Sequence, residues 1–346
     1  MKYYPLLFEP NLHPVVWGGH RLCPYKGLAP DSNPIGESWE VSAVPASTSI
    51  IRNGRWAGRD LITVINEHPD AILGQTVNRQ YGGKLPLLVK FIDAERDLSI
   101  QVHPDDEMAK REHGKMGKSE MWYVIRAEKG SYLYAGFKQR ITADEYQRRI
   151  ADGTITEVLA EHPVQAGDVF YIPAGRVHAI CGGIMLAEVQ QSSDVTYRIY
   201  DYNRPGMDGK PRQLHTELAA KALDYNVEAN YRTEYTETDN RAVRIIDTPY
   251  FDVRVMELST QFHRNLMKYD SFIISMCIEG DCRIRVRSTC EEIILHEGSS
   301  TLIPAAIADY DVTPLKGKTI LLDAFIDNMD RTLAGKITRF LHISRT

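Results

Sequence analysis

The stretch that most constrains this chain is residues 167–178, GDVFYIPAGRVH, where a glycine, a proline, a second glycine and a histidine stand at G-x5-P-x-G-x2-H spacing. Gly167 and Asp168 suit a turn, the apolar run after them suits a strand, and Pro173 and Gly175 reverse the chain. His178 then begins the returning strand. An ordinary hairpin with an incidental histidine would use the same glycines and proline, so the histidine needs company before it implies chemistry. A second polar pair lies upstream in LSIQVHPDD (98–106). Gln101 and His103 are two residues apart, so strand alternation puts both on one face and Val102 on the other, and Pro104 ends the strand.

Strand-like runs dominate the rest of the chain: 85–92, 98–103, 120–125, 168–173, 251–258, 271–278, 282–287 and 319–326. They are short and rich in β-branched and aromatic residues, and many are bounded by Gly, Pro, Asp or Asn, the pattern of antiparallel barrels or sandwiches. Helical patterns are fewer. Residues 142–151 open with Thr142 and Glu145 at capping-box spacing, and 154–161 continue with Ile155, Val158 and Leu159, so a small helical insertion is expected near 142–161. Further helices are expected at 58–66 and 215–223, the second with Thr216 as N-cap. The polar segment 228–242 has no helical period and is read as the boundary between a domain at 1–235 and one at 236–346. An internal echo links the two: GDVFYIPA (167–174) resembles GSSTLIPA (298–305), but Ala306 and Asp309 stand where Gly175 and His178 stand in the first, so the second copy lacks the chemistry.

With 346 residues, 43% of them hydrophobic and 25% charged, the chain has ordinary globular composition and length enough for two domains. A formal net charge of −5 points away from nucleic acid and toward small-molecule chemistry. The N-terminus lacks the apolar core of a signal peptide, and no run approaches the roughly 18 apolar residues of a membrane span, so a cytoplasmic location with no membrane partner is expected. Five cysteines with no CxxC pair read as buried or semi-buried free thiols.

The string at 167–178 matches the second sequence motif of the cupin family. The fold this resemblance implies is mainly β: two cupin-type antiparallel β-barrels (jelly rolls) with a small helical insertion, the C-terminal one degenerate and without a metal site. In cupins the other half of the metal site lies upstream, where Gln101 and His103 stand, and Glu120 in GKSEMWYV follows them. One amide oxygen, two imidazoles and one carboxylate make a mixed N/O set suited to a divalent ion such as zinc, with other divalent metals possible.

A narrower resemblance rests on QVHPDD, GKSEMWYV, PAGRVHAI and EVQQSSDVTYRIYDYNR, in that order, with a looser likeness at FEPNLHPVVWGG and GESWEVS. Together these are similar to the type I mannose-6-phosphate isomerases in their short bacterial form. The resemblance implies that Gln101, His103, Glu120 and His178 bind zinc and that Arg198 is the catalytic arginine. It implies further that Lys118 and Lys90 are active-site lysines, that Glu188 is a candidate proton carrier and that Asp194 is the acid paired with the arginine. Long family members carry a histidine where this chain has Gly117, and they have a large helical insertion that is absent here. The implied reaction interconverts mannose 6-phosphate and fructose 6-phosphate through an enediol, on a phosphorylated hexose, in a monomer or homodimer. Two other readings of a metal cupin stay open at this point: an iron dioxygenase and a non-catalytic sugar-binding protein.

Overall fold

The computed structural model describes residues 2–307 and 309–327, so the end of the expected second domain, 328–346, lies outside the described residues. The fold is mainly β, with four antiparallel sheets among the described residues, none of which closes on itself. A seven-stranded sheet runs in the order Arg232–Thr233, Val169–Ile172, Glu120–Ala127, Ile184–Gln191, Leu87–Ala94, Leu12–Gly19 and Ile35–Val41. Facing it is a five-stranded sheet of Tyr197–Tyr200, Ile100–Val102, His178–Ile180, Tyr132–Phe137 and Leu159–Pro163. The C-terminal region supplies most of a six-stranded sheet and all of a four-stranded one, and Leu6–Leu7 joins the six-stranded sheet by pairing with Thr301 and Leu302.

Period-2 alternation explains how the larger sheet is covered on both faces. Strand Leu87–Ala94 is buried at every position. Its Leu87, Val89 and Phe91 join a core shared with the C-terminal sheet, while Ile92 and Ala94 turn the other way, onto the five-stranded sheet. Strand Ile184–Gln191 divides likewise, with Met185, Ala187 and Val189 on the shared core and Ile184 and Leu186 opposite. In the space between the seven- and five-stranded sheets, Trp122, Val124, Leu133, Phe170, Ile172 and Leu186 form an apolar plug at one end. The same strands reach the other end with Lys90, Glu120 and Glu188, all buried. The polar pocket therefore rests on a packed floor.

All eight expected strands form. The helix expected at 58–66 is Leu61–Glu67, capped by Asp60, which accepts from the Thr63 amide at 2.8 Å. Thr142 caps Ala143–Ala151 by accepting from the Glu145 amide at 3.1 Å. The second half of the expected insertion is different: residues 155–158 make one 3-10 turn and Leu159–Pro163 is a strand on the edge of the five-stranded sheet. Ile155, Val158 and Leu159, read as a helical face, are all buried, but a 3-10 turn and a strand start bury them equally well. The helix Thr216–Ala222 starts with His215, not Thr216, in the cap position. Within the polar segment 228–242, Arg232–Thr233 pairs with Val169 and Phe170 at the edge of the larger sheet.

The internal echo corresponds to like geometry. Gly167 and Gly298 both have positive φ, 90° and 71°, each preceding a strand, Val169–Ile172 and Ser300–Ile303, that ends in Ile-Pro-Ala. His178 opens one returning strand and Asp309 the other. Four cysteines are buried, whereas Cys290 is exposed in a turn. Among the described residues no helix is long and apolar enough to cross a membrane.

Candidate metal centre

Two turns assemble the site. Gly175 has φ 89°, which an L side chain adopts only with strain, and its amide donates to the His103 carbonyl at 2.9 Å, tying the return before His178 to the end of the strand bearing Gln101. Cross-strand register then does the alignment: Gln101 lies opposite His178 on one side and Arg198 on the other. On the facing sheet Lys90 pairs with Glu188 and with Trp39, Glu188 with Trp122, and Gln190 with Glu120. Two rows of functional side chains thus face each other.

His103, Glu120 and His178 are each at most 1% exposed, with ligand atoms mutually within 4.8 Å. Glu120 approaches His103 Nε2 at 3.3 Å and His178 Nε2 at 3.4 Å. Each ring uses its other nitrogen on a backbone carbonyl, His103 Nδ1 on Val195 at 3.0 Å and His178 Nδ1 on Arg176 at 2.9 Å. With Nδ1–H donated, both Nε2 lone pairs point toward the carboxylate, an arrangement of acceptors facing acceptors. Among the described residues His103 Nε2 and both Glu120 oxygens take no hydrogen bond despite full burial, and the charged neighbour of Glu120 Oε2 is the Lys118 ammonium at 3.1 Å. Leaving such groups unmet costs about 1–3 kcal/mol each, and a cation among them removes that penalty. The Gln101 amide stands 3.2 Å from His178 Nε2, and a 180° turn of that amide brings its oxygen to the same place. The donor set fits a divalent ion.

Electrostatics agree. Burial, with the Lys118 charge adding to it, pushes the His103 imidazole down to about 3. Burial also lowers His178, against the pull of Glu120. Both rings are neutral at physiological pH, the state a metal requires. Burial alone would raise the Glu120 carboxyl, but Lys118, with Nζ at 3.1 Å, and the two imidazoles outweigh it and hold it well below the usual carboxylate range.

Above the centre opens a cavity of about 380 Å³ lined by Gln101, Lys118, Lys90, Glu188, Asp194 and Arg198, among others. Lys90 Nζ lies 3.4 Å from both Glu37 and Glu188 and 4.9 Å from the centre of the Trp39 ring. Burial opposes its charge, yet the carboxylates of Glu37 and Glu188 prevail and raise its pKa. Glu188 is shifted upward by burial and by the Glu120 charge, against Lys90 and Lys118, and takes a hydrogen bond from Trp122 Nε1 at 3.0 Å. Arg198 donates to Ser99 Oγ at 3.3 Å and to the Gln213 carbonyl at 3.0 Å, and makes no ion pair among the described residues. Asp194 is not its partner: that carboxylate meets Lys115 at 2.6 Å. A short side chain on an exposed loop reaches the nearer flexible lysine first.

The lining also includes Glu37, Trp39, Trp122, Arg212 and His215, which sequence reasoning did not single out. Glu37 and Trp39 lie two residues apart in GESWEVS, and that strand spacing is the signal the sequence offers for their shared face. Arg212 follows a glycine-rich loop with no pattern around it.

Residues 6–135 match the phosphomannose isomerase type I catalytic domain. A probable mannose-6-phosphate isomerase of Bacillus subtilis is 34% identical over 312 residues, covering 89% of this chain and 96% of that protein. The mannose-6-phosphate isomerase of Streptococcus mutans is 33% identical over 307 residues, 88% and 94% of the two chains. A crystal structure of a Bacillus subtilis mannose 6-phosphate isomerase superposes with a TM-score of 0.84 at 30% identity, covering 93% of this chain and 99% of that one.

Proposed function

The chain belongs to the type I mannose-6-phosphate isomerases, a metal-dependent family of aldose–ketose isomerases, and from that premise we propose that Gln101, His103, Glu120 and His178 hold its divalent ion, zinc in the first instance. The observation that carries this reading is the buried convergence of two imidazole lone pairs and a carboxylate without hydrogen bonds on one point. Family membership favours isomerisation over the dioxygenase and the non-catalytic sugar-binding readings. We read the paired sheets as two cupin-type barrels, the N-terminal one (1–235) catalytic and the C-terminal one (236–346) degenerate, with Ala306 and Asp309 where the first has Gly175 and His178, a division supported by the echo of 167–174 at 298–305.

The reaction removes the C2 proton of mannose 6-phosphate, passes through an enediol and returns a proton to C1, while the hydroxyl proton moves from O2 to O1. The chemistry a bound ion supplies is Lewis-acid polarisation of the substrate oxygens at C1 and C2. Glu188 is the proton carrier in this reading: it lines the cavity, its raised pKa suits a group that must both take and give a proton, and Trp122 orients one of its oxygens. Lys90, bridging Glu37 and Glu188, steadies that carboxylate and is already neutralised, so it suits sugar hydroxyls better than a phosphate. Lys118 serves the sugar oxygens beside Glu120. Arg198, unpaired and half-buried, is free to meet an anion: the phosphate, or charge developing on the enediolate. Asp194 lines the same cavity and meets substrate hydroxyls there. The phosphate end is the mouth beside Arg198 and Arg212, where cations outnumber acids.

A coupled assay of fructose 6-phosphate formed from mannose 6-phosphate tests the reading. Turnover is expected to vanish on chelation, return with added divalent metal, and fall by more than about a hundredfold in His103→Ala, together with loss of bound metal. Undiminished turnover in the metal-free protein would sink it.

A further inference from the structure

Two arginines of the cavity lining, Arg198 and Arg212, stand at its mouth, and Arg212 shares one buried acid with a third, Arg204. Asp201, 5% exposed, accepts from Arg212 Nε at 2.7 Å and Nη2 at 2.6 Å, and from Arg204 Nε at 3.1 Å and Nη2 at 2.9 Å. Arg212 and Arg198 both line the cavity. The chain directly after Asp201 is bent hard: Tyr202 and Asn203 have φ 57° and 52°, and a bridge between Pro205 and Pro211 closes the loop that brings Arg212 back. Two consecutive non-glycine residues in the left-handed region persist only where their surroundings over-determine them. The carboxylate of Asp201, with four donors around it, is what the loop closes upon.

We infer that Asp201 is a positioning residue for substrate binding: by fixing the Arg212 guanidinium in a bidentate grip it aims that cation at the cavity mouth beside Arg198, where the two take the phosphate of the sugar. Without Asp201, three guanidinium groups would repel one another and the Arg212 side chain would spread into solvent. With it, Arg204 and Arg212 share a single carboxylate and Arg198 makes no ion pair among the described residues, leaving a cationic surplus suited to a phosphate dianion. Burial lowers the Arg198 pKa, and the like charge of Arg212 lowers it further, which puts the two within electrostatic reach of each other. The inference rests on the reading of this cavity as a sugar-phosphate site.

The test compares metal-loaded wild type with Asp201→Asn, Asp201→Glu and Arg212→Lys. Asp201→Asn is expected to raise KM for mannose 6-phosphate about tenfold, with kcat within about twofold, and to weaken competitive inhibition by inorganic phosphate by a like factor. Asp201→Glu restores most of both, and Arg212→Lys, which keeps the charge but loses the fork, shows the same KM-weighted loss. Asp201→Asn added to Arg212→Lys is expected to be no worse than Arg212→Lys alone. Unchanged KM and phosphate inhibition in folded Asp201→Asn, or a fall confined to kcat, overturns the inference. Should Asp201→Asn fail to fold, Arg212→Lys decides on the same two readouts. If wild type does not isomerise mannose 6-phosphate, the functional reading fails instead, and thermal protection by inorganic phosphate, lost in Arg212→Lys, still tests the inference.

Discussion

Glu188 is held between opposing demands. Burial and the nearby Glu120 charge favour its protonated form, while Lys90 and the indole N–H of Trp122 favour the carboxylate. As the proposed base it must be ionised, so activity is expected to fall as pH drops through its raised pKa. Removing the Trp122 donor removes a hydrogen bond to the charged form and raises that pKa further. In Trp122→Phe the acid limb of the kcat profile is therefore expected to move to higher pH; an unmoved limb, at unchanged metal content, would show that another group carries the proton. Metal content needs the check because the indole also packs edge-on against His178 at 5.4 Å. Glu188→Gln should lower kcat by about a hundredfold or more. At this scale Gln101, His103 and His178 were legible from spacing and alternation alone. Glu120, Glu188 and Arg198 were visible only through family likeness, because a single acid or arginine on a strand has no spacing that distinguishes it from a surface charge.

The helix Asp106–His113 lies directly after the strand that carries Gln101, capped by Asp105, which accepts from the Met108 amide at 2.8 Å. Asp106 in turn accepts from the Gly117 amide at 2.8 Å and from Gln191 Nε2 at 3.1 Å, fixing the segment that delivers Lys118 and Glu120. At Gly117 a Cβ would meet the Asp105 carbonyl carbon and the Asp106 amide nitrogen, each at 2.5 Å. Backbone against backbone cannot yield cheaply. Gly117→Ala is expected to destabilise the protein by about 1–3 kcal/mol, read by thermal melting, and to lower kcat/KM more than about tenfold by displacing Lys118 and Glu120. Wild-type stability and activity in that variant would mean the helix is free to slide. This helix is not legible in the sequence, since its eight residues bury only Met108 and Ala109 and show little apolar period. The three apolar residues within 154–161 suit helix, 3-10 turn and strand alike, so their spacing could not choose among them.

The two halves of the molecule share a core. Its largest apolar cluster runs from Tyr4 through Val89, Met121 and Ala187 to Phe251, Phe272 and Ile326, with three short helices, Leu61–Glu67, Pro69–Leu73 and Gln75–Tyr81, packed in. Leu6, fully buried, belongs to it while pairing with Leu302. Leu6→Ala, far from the candidate metal centre, is expected to cost about 2–5 kcal/mol and to lower the melting temperature of activity and of sheet structure together. Two separate transitions, with activity surviving the first, would show that the halves unfold independently.

By itself the sequence determined the β character, the turns, the placement of His178 after a glycine–proline return and the shared face of Gln101 and His103. Those follow from local steric rules and a two-residue period, which a single strand already obeys. Only the tertiary structure decided which strands neighbour which, and hence that Glu188 stands opposite Lys90, that Asp194 turns to Lys115 and that Arg212 comes back upon Asp201. Cross-strand register and loop closure bring together residues far apart along the chain, and no local periodicity encodes those meetings.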